Sequence, residues 1–159
     1  MNTWDVSNIA DMSRMFSYAR SFDGDLAKWD VSSVKDMDSM FLAAKSFNRD
    51  LSKWDVSGVK TMPAMFRWAT SFNGDISKWD VSNVESMEDM FSGAESFAQT
   101  LCGAWITSTA DQDGMFKNSP GRICATSTSV ATTPPTSTKG KGTLSLSECP
   151  DLTLDLSLC

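Results

Sequence analysis

The chain repeats itself every 25 residues, and that period constrains its fold more than any other feature. Trp4, Trp29, Trp54 and Trp79 each open the word Trp-Asp-Val-Ser, and the word Met-x-x-Met-Phe begins eight residues after each Trp. These second words are Met12/Met15/Phe16, Met37/Met40/Phe41, Met62/Met65/Phe66 and Met87/Met90/Phe91. An Ala, a Ser-Phe pair and a Leu or Ile follow. A fixed period in this range belongs to stacks of small units, each burying its apolar face only against its neighbours. Near-identical units offer a repeated surface more readily than a single chemical pocket.

Within the second unit, Leu26, Trp29, Val31 and Val34 fall as L-x-x-W-x-V-x-x-V, the spacing of a leucine-rich repeat with Val in place of the usual Asn or Cys. Trp29 and Val31 alternate with Lys28, Asp30 and Ser32, which predicts a short strand with one face inward. The residue before the first Met is Asp11, Asp36, Thr61 or Ser86, and all four types are good helix N-caps. Met37, Met40, Phe41 and Ala44 then lie at i, i+3, i+4 and i+7, which predicts about two helical turns ending near Ser46. Pro63 falls in the first turn, where a missing N–H costs little. The expected fold is an α/β repeat solenoid: a leucine-rich-repeat-like right-handed coil stack with one short parallel strand and one short helix per 25-residue unit. Its inward columns are Trp, Val, Met, Phe and Leu, so the Met-x-x-Met-Phe stripe reads as core and no cofactor is expected.

The totals exclude several functions. There is no histidine, which removes His-based acid–base catalysis, His-activated nucleophiles and His-containing metal sites. No catalytic residues are expected, and the chain does not read as an enzyme. A formal charge of −6 without a basic stripe argues against nucleic-acid binding. No apolar run reaches the ~20 residues of a membrane helix, so no membrane span is expected. The chain enters a repeat at once, without a signal peptide or a polar capping unit, which reads as a mature or partial sequence or as an open end that stacks on a partner.

The units resemble those of the BspA-like leucine-rich-repeat surface proteins, a 25-residue repeat family. The shared word is Phe-Asn-x-Asp-Leu-Ser-x-Trp-Asp-Val-Ser-Asn-Val-x-x-Met-x-x-Met-Phe, nearly intact over residues 46–65 and 71–91, and the resemblance covers roughly residues 1–124. It implies a secreted or surface-anchored protein that adheres to cells or matrix, and it transfers no catalytic residues.

The pattern breaks in the fifth unit. One extra residue precedes Trp105, yet Met115-Phe116 returns to register. Cys102 lies at the expected strand entrance of this unit and Cys124 just beyond its helix, so a Cys102–Cys124 bridge would tie the last coil shut as a cap. Similar family members also end with a Leu-Cys-x-x-Trp turn and a later Cys, which implies the same pairing; two free thiols or a redox role are the alternatives. The domain reading is four repeats plus a disulfide-closed cap over 1–124, a Ser/Thr/Pro-rich linker over 125–143, and a Leu-alternating, Cys-bearing segment over 144–159. Cys149 and Cys159 could close a further ten-residue loop. Cysteine pairs point to an oxidising compartment, hence an extracellular or cell-surface location.

Stacking places Asp5, Asp30, Asp55 and Asp80 in one column with Ser7, Ser32, Ser57 and Ser82 beside it. Lys28, Lys53 and Lys78 lie two positions earlier and are expected to compensate the carboxylates. These rows form a candidate partner-binding ladder, against the plainer reading that the carboxylates cap local turn amides. Calcium needs six to eight oxygens per ion, so no metal site is assigned. A second candidate surface is the variable row Tyr18, Ala43, Trp68 and Gly93, with Ser17, Leu42, Arg67 and Ser92 alongside. The functional expectation is a non-catalytic binding or adhesion module for a protein or glycan on a cell surface or matrix. The alternative is a structural subunit that stacks end to end, or docks on a larger assembly through its first repeat.

Overall fold

A computed structural model describes residues 4–125 of the 159-residue chain. The linker beyond residue 125, the segment 144–159, and Cys149 and Cys159 lie outside the described residues. Among those described, three regular elements occur, all near the C-terminal end: strand β1 (Thr100–Leu101), helix α1 (Ala104–Thr107) and strand β2 (Arg122–Ile123), with β1 and β2 paired in parallel.

The repeats themselves are built from turns, and each lies beside the next in parallel register. Single-residue parallel bridges join Asp11 to Asp36, Asp36 to Thr61, Thr61 to Ser86 and Ser86 to Asp111. The ladder therefore runs through the residue before the first Met. The strand expected around Trp29–Val31 does not form; Trp29 and Val34 instead close turns onto the carbonyls of Leu26 and Val31.

The helix expected over residues 37–44 is likewise absent, and its backbone bonds explain why. In a helix every N–H points along its own segment. Here the N–H groups of Met37, Ser39, Phe41 and Ala43 donate across to Thr61, Pro63, Met65 and Arg67 of the next repeat, at 2.8–2.9 Å. The alternate donors, Met40, Leu42 and Ala44, close i→i+3 turns onto Met37, Ser39 and Phe41 at 3.0–3.2 Å. Half of the donors bind within the repeat and half between repeats. Two of these turns carry a positive φ at their third residue, as type II turns require: Ser39 (55°) and Ala43 (55°) here, Ala64 (51°) and Trp68 (57°) one repeat on. Met37, Met40, Phe41 and Ala44 still reach the interior, so their spacing serves a turn ribbon as well as a helix.

The residues expected to cap helices cap these turns. Asp11, Asp36 and Asp111 accept from the N–H two residues later, at 2.8–3.0 Å. In the third repeat that later residue is Pro63, which has no N–H, and the acceptor position holds Thr61. The missing donor and the missing carboxylate coincide.

The core is continuous and aromatic. Phe16, Phe41, Phe66, Phe91 and Phe116 form one column with centroids 5.4–5.7 Å apart and planes within 10°. Phe22, Phe47, Phe72 and Phe97 form a second column at 5.8–6.0 Å. Within each of the first four repeats the two columns touch at 3.9–4.1 Å. Such pairs contribute roughly 0.5–1.5 kcal/mol each beyond the area they bury. Trp54 and Trp79 are buried beside them, and their indole N–H groups donate to the carbonyls of Leu26 and Leu51 at 3.1 and 3.0 Å.

At the fifth unit the extra residue turns the chain into α1, which buries Trp105. The register of the indole donor is lost there, and Trp105 Nε1 has no partner among the described residues. Parallel pairing of β1 with β2 then brings Cys102 and Cys124 together as a disulfide, 5.1 Å apart at Cα.

Candidate functional site

Two rows of carboxylates run along the exposed side, and both are committed to local turns. Asp5, Asp30 and Asp55 each use Oδ1 to accept the backbone N–H of the serine two residues on (3.0–3.1 Å) and its hydroxyl (2.6–2.7 Å). Asp80 accepts the N–H of Ser82 at 3.0 Å. Bonds from the serine hydroxyl first, and the serine N–H second, hold these four carboxyls below the ordinary carboxylate pKa. The column opposes its own charge: Asp5 raises Asp30, and Asp30 and Asp80 raise Asp55, but the hydrogen bonds prevail. Asp25, Asp50 and Asp75 make the same turn with the N–H groups of Ala27, Ser52 and Ser77 at 2.8–3.0 Å.

The lysines do not answer the first row. Among the described residues Lys28, Lys53 and Lys78 form no ion pair with Asp5, Asp30, Asp55 or Asp80. The fields of Lys53 and Lys78 instead help lower Asp50 and Asp75, after the larger contributions of the serine bonds. The compensation expected within one ladder thus occurs between two. No cluster of three metal-ligating side chains occurs among the described residues. The Asp/Ser/Lys rows therefore present a regular polar face whose acceptors are already partly used.

The variable row has a different character. Residues 18, 43, 68, 93 and 118 occupy one column across five repeats, and all five have positive φ. Tyr18 and Trp68 stand out from it, 59% and 44% exposed, separated by the small residue Ala43. Together with the column at 20, 45, 70 and 95 they line an open groove of about 490 Å³. Arg20, Lys45 and Glu95 supply its charges.

Trp68 is held from two sides. The Cδ1 edge of its indole abuts Gly93, where a Cβ would collide with it. The guanidinium of Arg67 sits 4.4 Å from the ring centroid and is itself fixed by Asp89, 2.9 Å away. Sequence reading identified this row as variable but could not place its side chains in a groove. It also missed a ladder elsewhere: Asn48 and Asn73 use Oδ1 to accept the N–H of Asn73 and Ala98, one repeat on, at 3.0 Å.

With the repeat geometry defined, its family is clear. A family model described as "Mycoplasma protein of unknown function, DUF285" matches residues 1–105. The chain belongs to this family. No curated protein and no solved structure matches it.

Proposed function

We propose that this DUF285 protein is a non-catalytic binding or adhesion module that acts outside the cell or at its surface, recognising protein or glycan. The single observation that carries this reading is the contrast between frame and groove. Each repeat packs its apolar side chains, and bonds about half of its backbone donors, on its neighbours, while the column at 18, 43, 68, 93 and 118, exposed at Tyr18, Trp68 and Asn118, changes identity at every step. A constant frame that displays a varying row suits recognition better than turnover. The Cys102–Cys124 disulfide supports an oxidising compartment. The residue resemblance supports the finer assignment, a BspA-like member with a leucine-rich-repeat type of solenoid. In this reading the Asp5/Asp30/Asp55/Asp80 ladder is a second candidate contact surface.

The test is saturable retention of the labelled full chain on intact cells and on protein or glycan fractions of their matrix. Retention no greater than that of a chain unfolded by reduction and heat would refute the proposal.

The first repeat favours a second reading. Trp4 is 58% exposed and Met15 is 37% exposed, although their counterparts in later repeats are buried. An apolar face of this kind suits a subunit that stacks on, or docks against, another protein. Light scattering across a concentration series separates the two: a monomer supports the binding module, and concentration-dependent polymers support stacking.

A further inference from the structure

We infer that the groove across the repeats is a subsite for an acidic oligosaccharide, whose ring faces stack on Trp68 and Tyr18 and whose acid group lies against Arg20 and Lys45. This deepens the binding-module reading, on which it rests, by naming the surface and the ligand class.

The first argument is conformational. Gly93 (φ 72°) and Asn118 (φ 57°) are the residue types that a left-handed backbone accepts readily. Tyr18 (φ 59°) and Trp68 (φ 57°) are bulky residues in the same conformation, and their side chains project into solvent instead of the core. Neither backbone preference nor core packing accounts for aromatics at these two positions. Residues kept against local preference concentrate where a protein binds or reacts.

The second argument is preorganisation. Arg67 and Gly93 fix the Trp68 indole before any ligand arrives, which lowers the entropy lost on binding. Asp89 anchors Arg67 in turn. Tyr18 stands two repeats away, on the order of 10 Å if repeats are spaced like neighbouring strands. Two exposed aromatic side chains at that separation, with small Ala43 between them, match the spacing of alternate rings in an extended sugar chain.

The third argument selects sugar over peptide. The N–H groups of Tyr18, Ala43, Trp68 and Gly93 already donate to Leu42, Arg67, Ser92 and Lys117 of the following repeats, at 2.6–2.9 Å. An extended peptide could not add itself as a strand along this row. Recognition falls to aromatic faces and polar tips, including Thr70 and Asn118. Charge then orients the ligand. Arg20 and Lys45 line the end nearer Tyr18 and make no ion pair among the described residues, whereas Glu95 lies at the far end.

The experiment uses the full chain with a galacturonate tetrasaccharide and its neutral glucose counterpart, followed by saturation-transfer NMR and calorimetry. The wild type is expected to bind the acidic chain at least tenfold more tightly than the neutral one. Trp68→Gly should weaken binding at least tenfold while its melting temperature stays level or rises. An Arg20→Gln/Lys45→Gln double variant should lose the preference for the acid. No binding of the tetrasaccharide, wild-type affinity in Trp68→Gly, or tighter binding of a tetraglutamate peptide overturns the inference. Equal retention of wild type and Trp68→Gly on intact cells refutes this subsite but leaves the binding module standing; no retention of either refutes both.

Discussion

Ala64→Gly separates a turn ribbon from a helix by the sign of its effect. Ala64 occupies the third position of its turn at φ 51°, and it is only half buried. The left-handed conformation costs an L-residue roughly 1–2 kcal/mol, and glycine escapes that cost. Glycine gives back roughly 0.5–1 kcal/mol through the extra freedom of its unfolded chain. The expected balance is a stabilisation of about 0.5–1 kcal/mol, which raises the melting temperature by roughly 2–5 °C for a folded unit of this size. Calorimetry of the full chain reads it directly. Ala69→Gly is the control, because Ala69 is fully buried without a positive φ and should lose about 1 kcal/mol. A helix over residues 62–69 makes the opposite forecast for Ala64, a loss of about 1 kcal/mol. Equal destabilisation by both substitutions would refute the turn geometry.

Three further outcomes follow from the same structure. Trp79→Phe should cost about 1 kcal/mol more than Trp105→Phe in urea unfolding, because only Trp79 donates its indole N–H to a buried carbonyl, that of Leu51. Equal costs would contradict the bond. Cys102→Ser/Cys124→Ser should cost about 2–4 kcal/mol and raise hydrogen exchange chiefly over residues 100–124. Uniform exchange along the chain would contradict a local clamp. The carboxyls of Asp5, Asp30, Asp55 and Asp80 titrate below their ordinary 3.8, so their contribution is present above that value and is lost as pH falls through the lowered ones. Replacing all four with Asn, which keeps the amide acceptor, should flatten the urea midpoint between pH 2 and 4 and leave it near wild type at pH 7. An unchanged acid slope would count against the turns.

The repeat boundaries, the core columns and the Cys102–Cys124 pair were legible because they depend on identity and register. Conformation was less so. The apolar spacing of Met37, Met40, Phe41 and Ala44 satisfies a helix and a turn ribbon alike, and Pro63 suits the start of either. The signal that separates them lies in two columns. Gly114 shares a column with Ser39, Ala64 and Asp89, and Gly93 and Asn118 share one with Ala43 and Trp68. Glycine and asparagine recurring at two positions four residues apart point to left-handed backbone that a helix does not use. The Lys rows were misplaced because sequence offset alone does not say which of two Asp columns a flexible side chain approaches. The groove was legible as variability but not as shape, since the lean of Trp68 against Gly93 depends on a contact between repeats.

The most direct measurement is a nuclear Overhauser map of the Phe66 ring and amide. Residues 25 apart should be joined, Phe66 to both Phe41 and Phe91 through stacked rings 5.5 and 5.7 Å away. Sequential helical contacts over residues 62–69, with no cross-peaks between the three phenylalanines, would contradict a core shared by neighbouring repeats.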